Sequence, residues 1–164
     1  MCIRDSYGID TEPAWSPNSK KLLFTSNRSG SPQIYELTVS SNRIKRVTLD
    51  GDYNARASYF PDGKDIVLVH GNNGVFHIGT KKLRSRFINT ISKTTLDESP
   101  TISPNGNIII YATKNNSQGY LAGLTLDGKS KFTLPVKFGS VREPAWSPYI
   151  CLLYTSPSPR DLST

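Results

Sequence analysis

The chain is predicted to be all-β, a partial β-propeller of about three four-stranded blades followed by the first strand of a fourth. Three observations lead there. The string EPAWSP stands at 12–17 and again at 143–148, and the echoes ARASYFPDGK at 55–64 and ESPTISPNGN at 98–107 lie between them. The prolines anchoring these copies, Pro17, Pro61, Pro104 and Pro148, are 44, 43 and 44 residues apart. A period of about 40 to 45 residues, filled with short β-branched and aromatic runs and lacking a strong helical pattern, is the signature of propeller blades.

Each unit reads the same way. In the first, residues 13–15 form a short inner strand, and Ser16-Pro17-Asn18-Ser19 is a turn with proline at a favoured central position. Strands follow at 21–26 (KLLFTS), 33–39 (QIYELTV) and 44–49 (IKRVTL), separated by the breakers SNRSGSP and SSN. The second unit repeats the plan at 65–70, 75–79 and 86–91 after the Pro61-Asp62-Gly63 turn, and the third at 108–113, 120–125 and 131–135. The blades are thus expected at about 12–53, 54–96 and 97–141, with the next opening at 142–150. Trp15, Tyr59, Ile102 and Trp146 fall at one repeat position and are expected to pack between blades.

A four-stranded sheet cannot bury both faces by itself, so blades must stack on one another. Small propellers close with about four to eight blades. Three blades and one strand do not close, and the chain is expected to be an internal or C-terminal piece of a larger protein, marginally folded or aggregation-prone alone.

The two ends read differently. MCIRDS at 1–6 can be encoded by ATG TGT ATA AGA GAC AG and one more base, and the reverse complement of that string reads, in another frame, as the CLLYTS at 151–156. Folding gives no reason for such a relation, which resembles adapter sequence from DNA library preparation. Residues 1–6 and 151–164 are therefore set aside as non-native, leaving about 7–150. Cys2 and Cys151, the only cysteines, go with them, and the remaining segment has no disulfide, thiol nucleophile or cysteine metal cluster. The net charge of +7 is unchanged, because Arg4 and Asp5 cancel, as do Arg160 and Asp161. Such a balance favours acidic partners without bearing on fold.

Motifs for chemistry are missing. There is no G-x-S-x-G elbow, H-E-x-x-H helix, P-loop or dinucleotide fingerprint, so no catalytic residue is assigned and the chain is not expected to be an enzyme. His70 and His77 share a blade without a third ligand nearby and read as structural. The run Lys81-Lys82-Leu83-Arg84-Ser85-Arg86 reads as a solvated turn between outer strands; with no aromatics interleaved, nucleic acid is not an expected partner. No apolar run approaches the roughly 20 residues of a membrane span, and membrane insertion is not expected.

More informative are the residues leading into each inner strand: Thr11 and Glu12, Asn54 and Arg56, Asp97 and Glu98, Arg142 and Glu143. In a propeller this segment lies at a mouth of the central channel. The eight residues are therefore expected to line a polar rim, either solvating it or receiving a partner. No cofactor or resident metal is assigned, although carboxylates from several blades could attract a hard cation such as calcium.

Over essentially all of 8–150 the spelling resembles the TolB family. TEPAWSPNSKKLLFTSNRSGSPQIY, FHI at 76–78, LDESPTISPNGNIIIYAT and REPAWSPY carry the likeness in order. The resemblance implies a six-bladed propeller preceded by a small α/β domain, located in the periplasm. It implies a noncatalytic role in the Tol-Pal system, which maintains outer-membrane integrity and constriction at division. The Pal lipoprotein would bind at a channel mouth, where bacteriocin peptides also dock, and TolA would bind through an N-terminal region outside this chain. Thr11 and Glu12 match the family's pre-strand spelling best. Departures are Asn18-Ser19 in place of an Asp-Gly turn and Phe60 where the repeat prefers Ser. The alternative is a gating propeller of a prolyl-oligopeptidase-like or tricorn-like serine peptidase, which would need a G-x-S-x-G domain elsewhere.

Overall fold

The computed structural model describes residues 8–147 apart from 116, 117, 128, 135, 137 and 138. The segments 1–6 and 151–164 set aside above, and Pro148 to Ile150, lie outside the described residues. Three four-stranded antiparallel sheets follow one another along the chain, each ordered as the sequence runs. The first holds β1 (Asp10–Trp15), β2 (Lys21–Ser26), β3 (Gln33–Thr38) and β4 (Arg43–Arg46). The second holds β5 (Tyr53–Tyr59), β6 (Asp65–Asn72), β7 (Val75–Lys82) and β8 (Asn89–Thr90). The third holds β9 (Glu98–Ile102), β10 (Ile108–Asn115), β11 (Gln118–Thr125) and β12 (Lys131–Leu134).

Alternation along the strands builds two cores. In β6, Ile66 and Leu68 face the first sheet and join Leu23, Ile34, Val47, Ala57 and Tyr59. Val67 and Val69 point the opposite way, to Ile78, Ile109, Tyr111, Ala122 and Leu124. Each fully buried Ile or Leu contributes about 1.5 to 3 kcal/mol, so the blades are held by their faces and the strands by their ladders.

The turns stack as well. A Cβ on Gly63 would lie 3.6 Å from Pro17 Cδ, and one on Gly106 would lie 3.4 Å from Pro61 Cδ. Gly63 and Gly106 have φ of 68° and 77°, and Ser19, at the same repeat position, is forced to 56°. The departure noted at Asn18-Ser19 is thus a side chain in the left-handed region, where glycine costs less. The hairpin between β6 and β7 is a two-residue Asn73-Gly74 turn with φ of 51° and 78°, the geometry such a turn requires.

Two expectations need correction. Residues 142–147 belong to no strand, because no described segment supplies the second strand that pairs with every other inner strand. Glu143 nonetheless keeps φ of 53°, the value of its counterparts. Trp15 is 60% exposed rather than packed in a core. Its counterpart Tyr59 is buried against the sheet preceding its own, and Trp15 has no described sheet on that side. Trp146 is half-buried, with its indole Nε1 buried and lacking a hydrogen-bond partner among the described residues.

Candidate functional site

A bulge interrupts every inner strand at the same place. The register shifts between Thr11 and Ala14 in β1 and between Ala55 and Ser58 in β5, and a shift also disturbs the pairing of β9. The residue inside each bulge is left-handed: Glu12 at φ 57°, Arg56 at 53°, Ser99 at 54°, with Glu143 at 53°. A left-handed residue in a bulge re-aims its side chain out of the strand's alternation. Four repeats therefore turn four side chains toward one place.

Arg56 is the centre of that place. Its Nε lies 2.9 Å from Glu12 Oε1, and its Nη1 donates to Ser99 Oγ at 2.8 Å and to Glu143 Oε1 at 3.0 Å. The Arg56 backbone N–H donates to Glu12 Oε2 at 2.9 Å, and Thr25 Oγ1 donates to the same oxygen at 2.8 Å. Burial works against the guanidinium charge. The hydrogen bond to Glu143 and the charges of Glu12, Glu143 and Glu98 outweigh it and hold the Arg56 pKa above its ordinary value.

Beside this cluster is a cleft of about 310 Å³. Glu12, Arg56, Asp97, Glu98 and Lys114 supply its charged lining, and Tyr53, Phe76 and Leu96 are among its apolar lining. Tyr53 and Phe76 meet edge to face with centroids 5.1 Å apart, and Leu96 is 47% exposed. Arg142 Nε lies 3.7 Å from Glu98 Oε1. Thr11 is exposed on the same inner strand as Glu12. The arrangement offers an apolar hollow with charges of both signs around it, which suits recognition of a polypeptide.

Six of the eight sequence-derived rim residues lie at the inner-strand entry with their side chains at least partly accessible: Thr11, Glu12, Arg56, Glu98, Arg142 and Glu143. Asn54 and Asp97 are buried rather than solvent-facing, although Asp97 borders the cleft. Asn54 donates to Gln33 Oε1 at 2.9 Å and to the Asp50 carbonyl at 2.7 Å, and its Oδ1 lies 2.9 Å from His70 Nδ1. Asp97 accepts from Ser92 Oγ and, at 2.5 Å, from Thr94 Oγ1. Both tie the end of one blade to the start of the next. They stand two residues before the bulge, where the side chain still points between sheets.

The same latch explains the histidine. Asn54 spends both N–H groups elsewhere, so His70 Nδ1 carries the proton and donates to Asn54 Oδ1. Burial lowers the His70 pKa, and His77 adds to the effect against Asp50.

The carboxylates do not converge as a cation site. Arg56 is paired with both Glu12 and Glu143, and no three His, Cys, Asp or Glu side chains among the described residues are grouped to hold a metal. Sequence reasoning missed the apolar lining residues Tyr53 and Leu96 and the charged Lys114. Their spacing in the repeat carried a signal, since Leu96 and Tyr53 each stand just before an inner-strand entry.

A family model described as the TolB beta propeller domain matches residues 2–150. The chain is 42% identical over 102 residues to the Tol-Pal system protein TolB of Pseudomonas aeruginosa, covering 61% of this chain and 24% of that protein. It superposes on the crystal structure of TolB from Acinetobacter baumannii with a TM-score of 0.78 and 40% identity, over 85% of this chain and 35% of that one. A puromycin hydrolase shares the fold at a TM-score of 0.63 but only 13% identity, over 77% of this chain and 20% of that one. The chain thus spans about a quarter of the length of the curated relatives it matches.

Proposed function

The chain belongs to the TolB β-propeller domain family, and we propose that it works as a noncatalytic, protein-binding propeller of the Tol-Pal system in the periplasm. Its partner at the inner-strand mouth would be the Pal lipoprotein, and its role the maintenance of outer-membrane integrity and constriction at division. The supporting observation is the cleft beside Arg56. An apolar hollow floored by Tyr53 and Phe76 and edged by Glu12, Glu98 and Lys114 has the pattern of a binding centre: a desolvated apolar anchor point inside a charged rim. Thr11, Arg142 and Glu143 extend that rim. TolA would be engaged by parts of the longer protein outside this chain, and a bacteriocin peptide could compete for the same mouth.

Calorimetric titration of the intact protein with Pal tests this reading. Leu96→Ala and Glu98→Ala should each weaken binding, Leu96→Ala by about tenfold as an anchor contact and Glu98→Ala chiefly through slower association. Lys129→Ala, on the β11–β12 hairpin, should leave binding unchanged. No affinity for Pal, or equal losses in all three variants, would overturn the assignment. The peptidase-gate alternative rests on likeness of fold alone.

A further inference from the structure

Lys81 breaks the expectation of a solvated basic turn. Lys82, Arg84 and Arg86 are exposed, but Lys81 is 2% exposed. Its ammonium donates to the Lys82 carbonyl at 3.2 Å and to the Ser85 carbonyl, and none of the ion pairs among the described residues includes it. Burial lowers its pKa, and the neighbouring charge of Lys45 lowers it further. A buried cation held by carbonyls alone lacks a counter-charge, which is costly unless something supplies one.

Lys81 lines a groove of about 440 Å³ between the loop leading into β8 and the β11–β12 hairpin. Phe60 and Ile88 contribute to its lining together with Phe87 and Leu126, which are 78% and 45% exposed. Lys82 and Asp65, register partners on β7 and β6, complete its charged lining. An exposed phenylalanine next to an apolar hollow and the two lysines Lys81 and Lys82 forms a surface with two requirements, an apolar side chain and negative charge close to it.

We propose that this groove binds an acidic peptide segment, with an apolar side chain between Phe87 and Leu126 and flanking carboxylates at the Lys81 and Lys82 end. A polypeptide fits better than an anionic bilayer for two reasons. The apolar lining includes the buried Phe60, which a lipid chain entering from a flat surface would not reach. Asp65 in the lining would repel lipid phosphates at close range, whereas a peptide can place its carboxylates at the Lys81 end. The groove shares no lining residue with the mouth beside Arg56.

The test is fluorescence anisotropy of the intact protein with a labelled acetyl-Glu-Glu-Phe-Glu-Glu-amide probe, compared with the same peptide carrying Gln for Glu. The Glu peptide should bind, weaken as salt is raised, and bind about tenfold more tightly than the Gln peptide. Phe87→Ser and Lys82→Glu, both at exposed positions, should each cost about tenfold. Pal binding should be unchanged in these variants, which separates failure of this proposal from failure of the mouth assignment. Equal binding of the two peptides, no loss in the variants, or attachment to phosphatidylglycerol vesicles in place of the peptide would overturn the proposal.

Discussion

Glu12 and Arg56 stand 44 residues apart in the chain and occupy the same position in successive repeats, yet they carry opposite charges and meet at 2.9 Å. The repeat turns both side chains inward through identical left-handed bulges, and the change of residue type converts a stack of equivalent positions into an ion pair.

Arg56→Ala should destabilise the fold by about 1 kcal/mol, because the pairs are partly solvated and such pairs are individually weak. Arg56→Lys should recover part of that loss, since an ammonium keeps the charge but cannot reach Glu12, Ser99 and Glu143 together. Urea denaturation of the intact protein reads both; a midpoint unchanged in Arg56→Ala would show that the cluster does not tie the blades together.

Tyr59→Phe should cost about 1.5 to 3 kcal/mol, the range for a hydrogen bond to a charged group. The Tyr59 hydroxyl donates to Glu36 Oε2 at 2.9 Å, while Lys21 and Lys45 each lie 3.0 Å from Oε1. Burial acts to raise the Glu36 pKa, but the hydrogen bonds from Lys45, Lys21 and Tyr59 bring it below the ordinary 4.5. A depressed carboxylate pKa contributes stability that is complete above 4.5 and is lost as the pH falls through the folded value. The cost of Tyr59→Phe should therefore shrink in that acid window. Denaturation midpoints at pH 7 and in the acid window give the comparison, and a pH-independent difference would contradict it.

His70 gives a second, milder acid sensitivity. Its folded pKa lies below the ordinary 6.5, so the unfolded chain binds more protons as the pH drops below that point, and stability falls until the folded imidazole is protonated too. His70→Gln should flatten thermal stability against pH in this window, since Gln can still donate to Asn54 Oδ1. A slope identical to that of the unsubstituted protein would assign the sensitivity elsewhere.

Ser19→Gly should raise stability by about 0.5 kcal/mol. It removes a left-handed penalty of about 1 to 2 kcal/mol and adds back about 0.5 to 1 kcal/mol of backbone entropy. The same substitution at Asn18, whose side chain accepts from Ser16 Oγ at 2.9 Å and the Lys20 N–H at 3.1 Å, should destabilise. A paired thermal melt would reveal the opposite signs.

Period and spelling were enough to determine the blade count, the four-strand plan and the strand positions to within a few residues, because a repeated alternation of apolar and turn residues leaves one way to pleat and stack. The places of Thr11, Glu12, Arg56, Glu98, Arg142 and Glu143 at the inner-strand entries were legible for the same reason. Tertiary structure decided the rest. Asn54 and Asp97 share the rim's period but are buried latches, since repeat position does not say whether a side chain leaves the sheet at the bulge or stays between blades. Trp15 carries the spelling of a core residue and is exposed, since burial needs a facing sheet as well as an apolar side chain. Lys81 sits in a basic run like its neighbours and is alone buried, because strand pairing carries it inward where the loop that follows turns out. Local chemistry repeats with the sequence; burial and charge pairing depend on which surfaces the fold brings face to face.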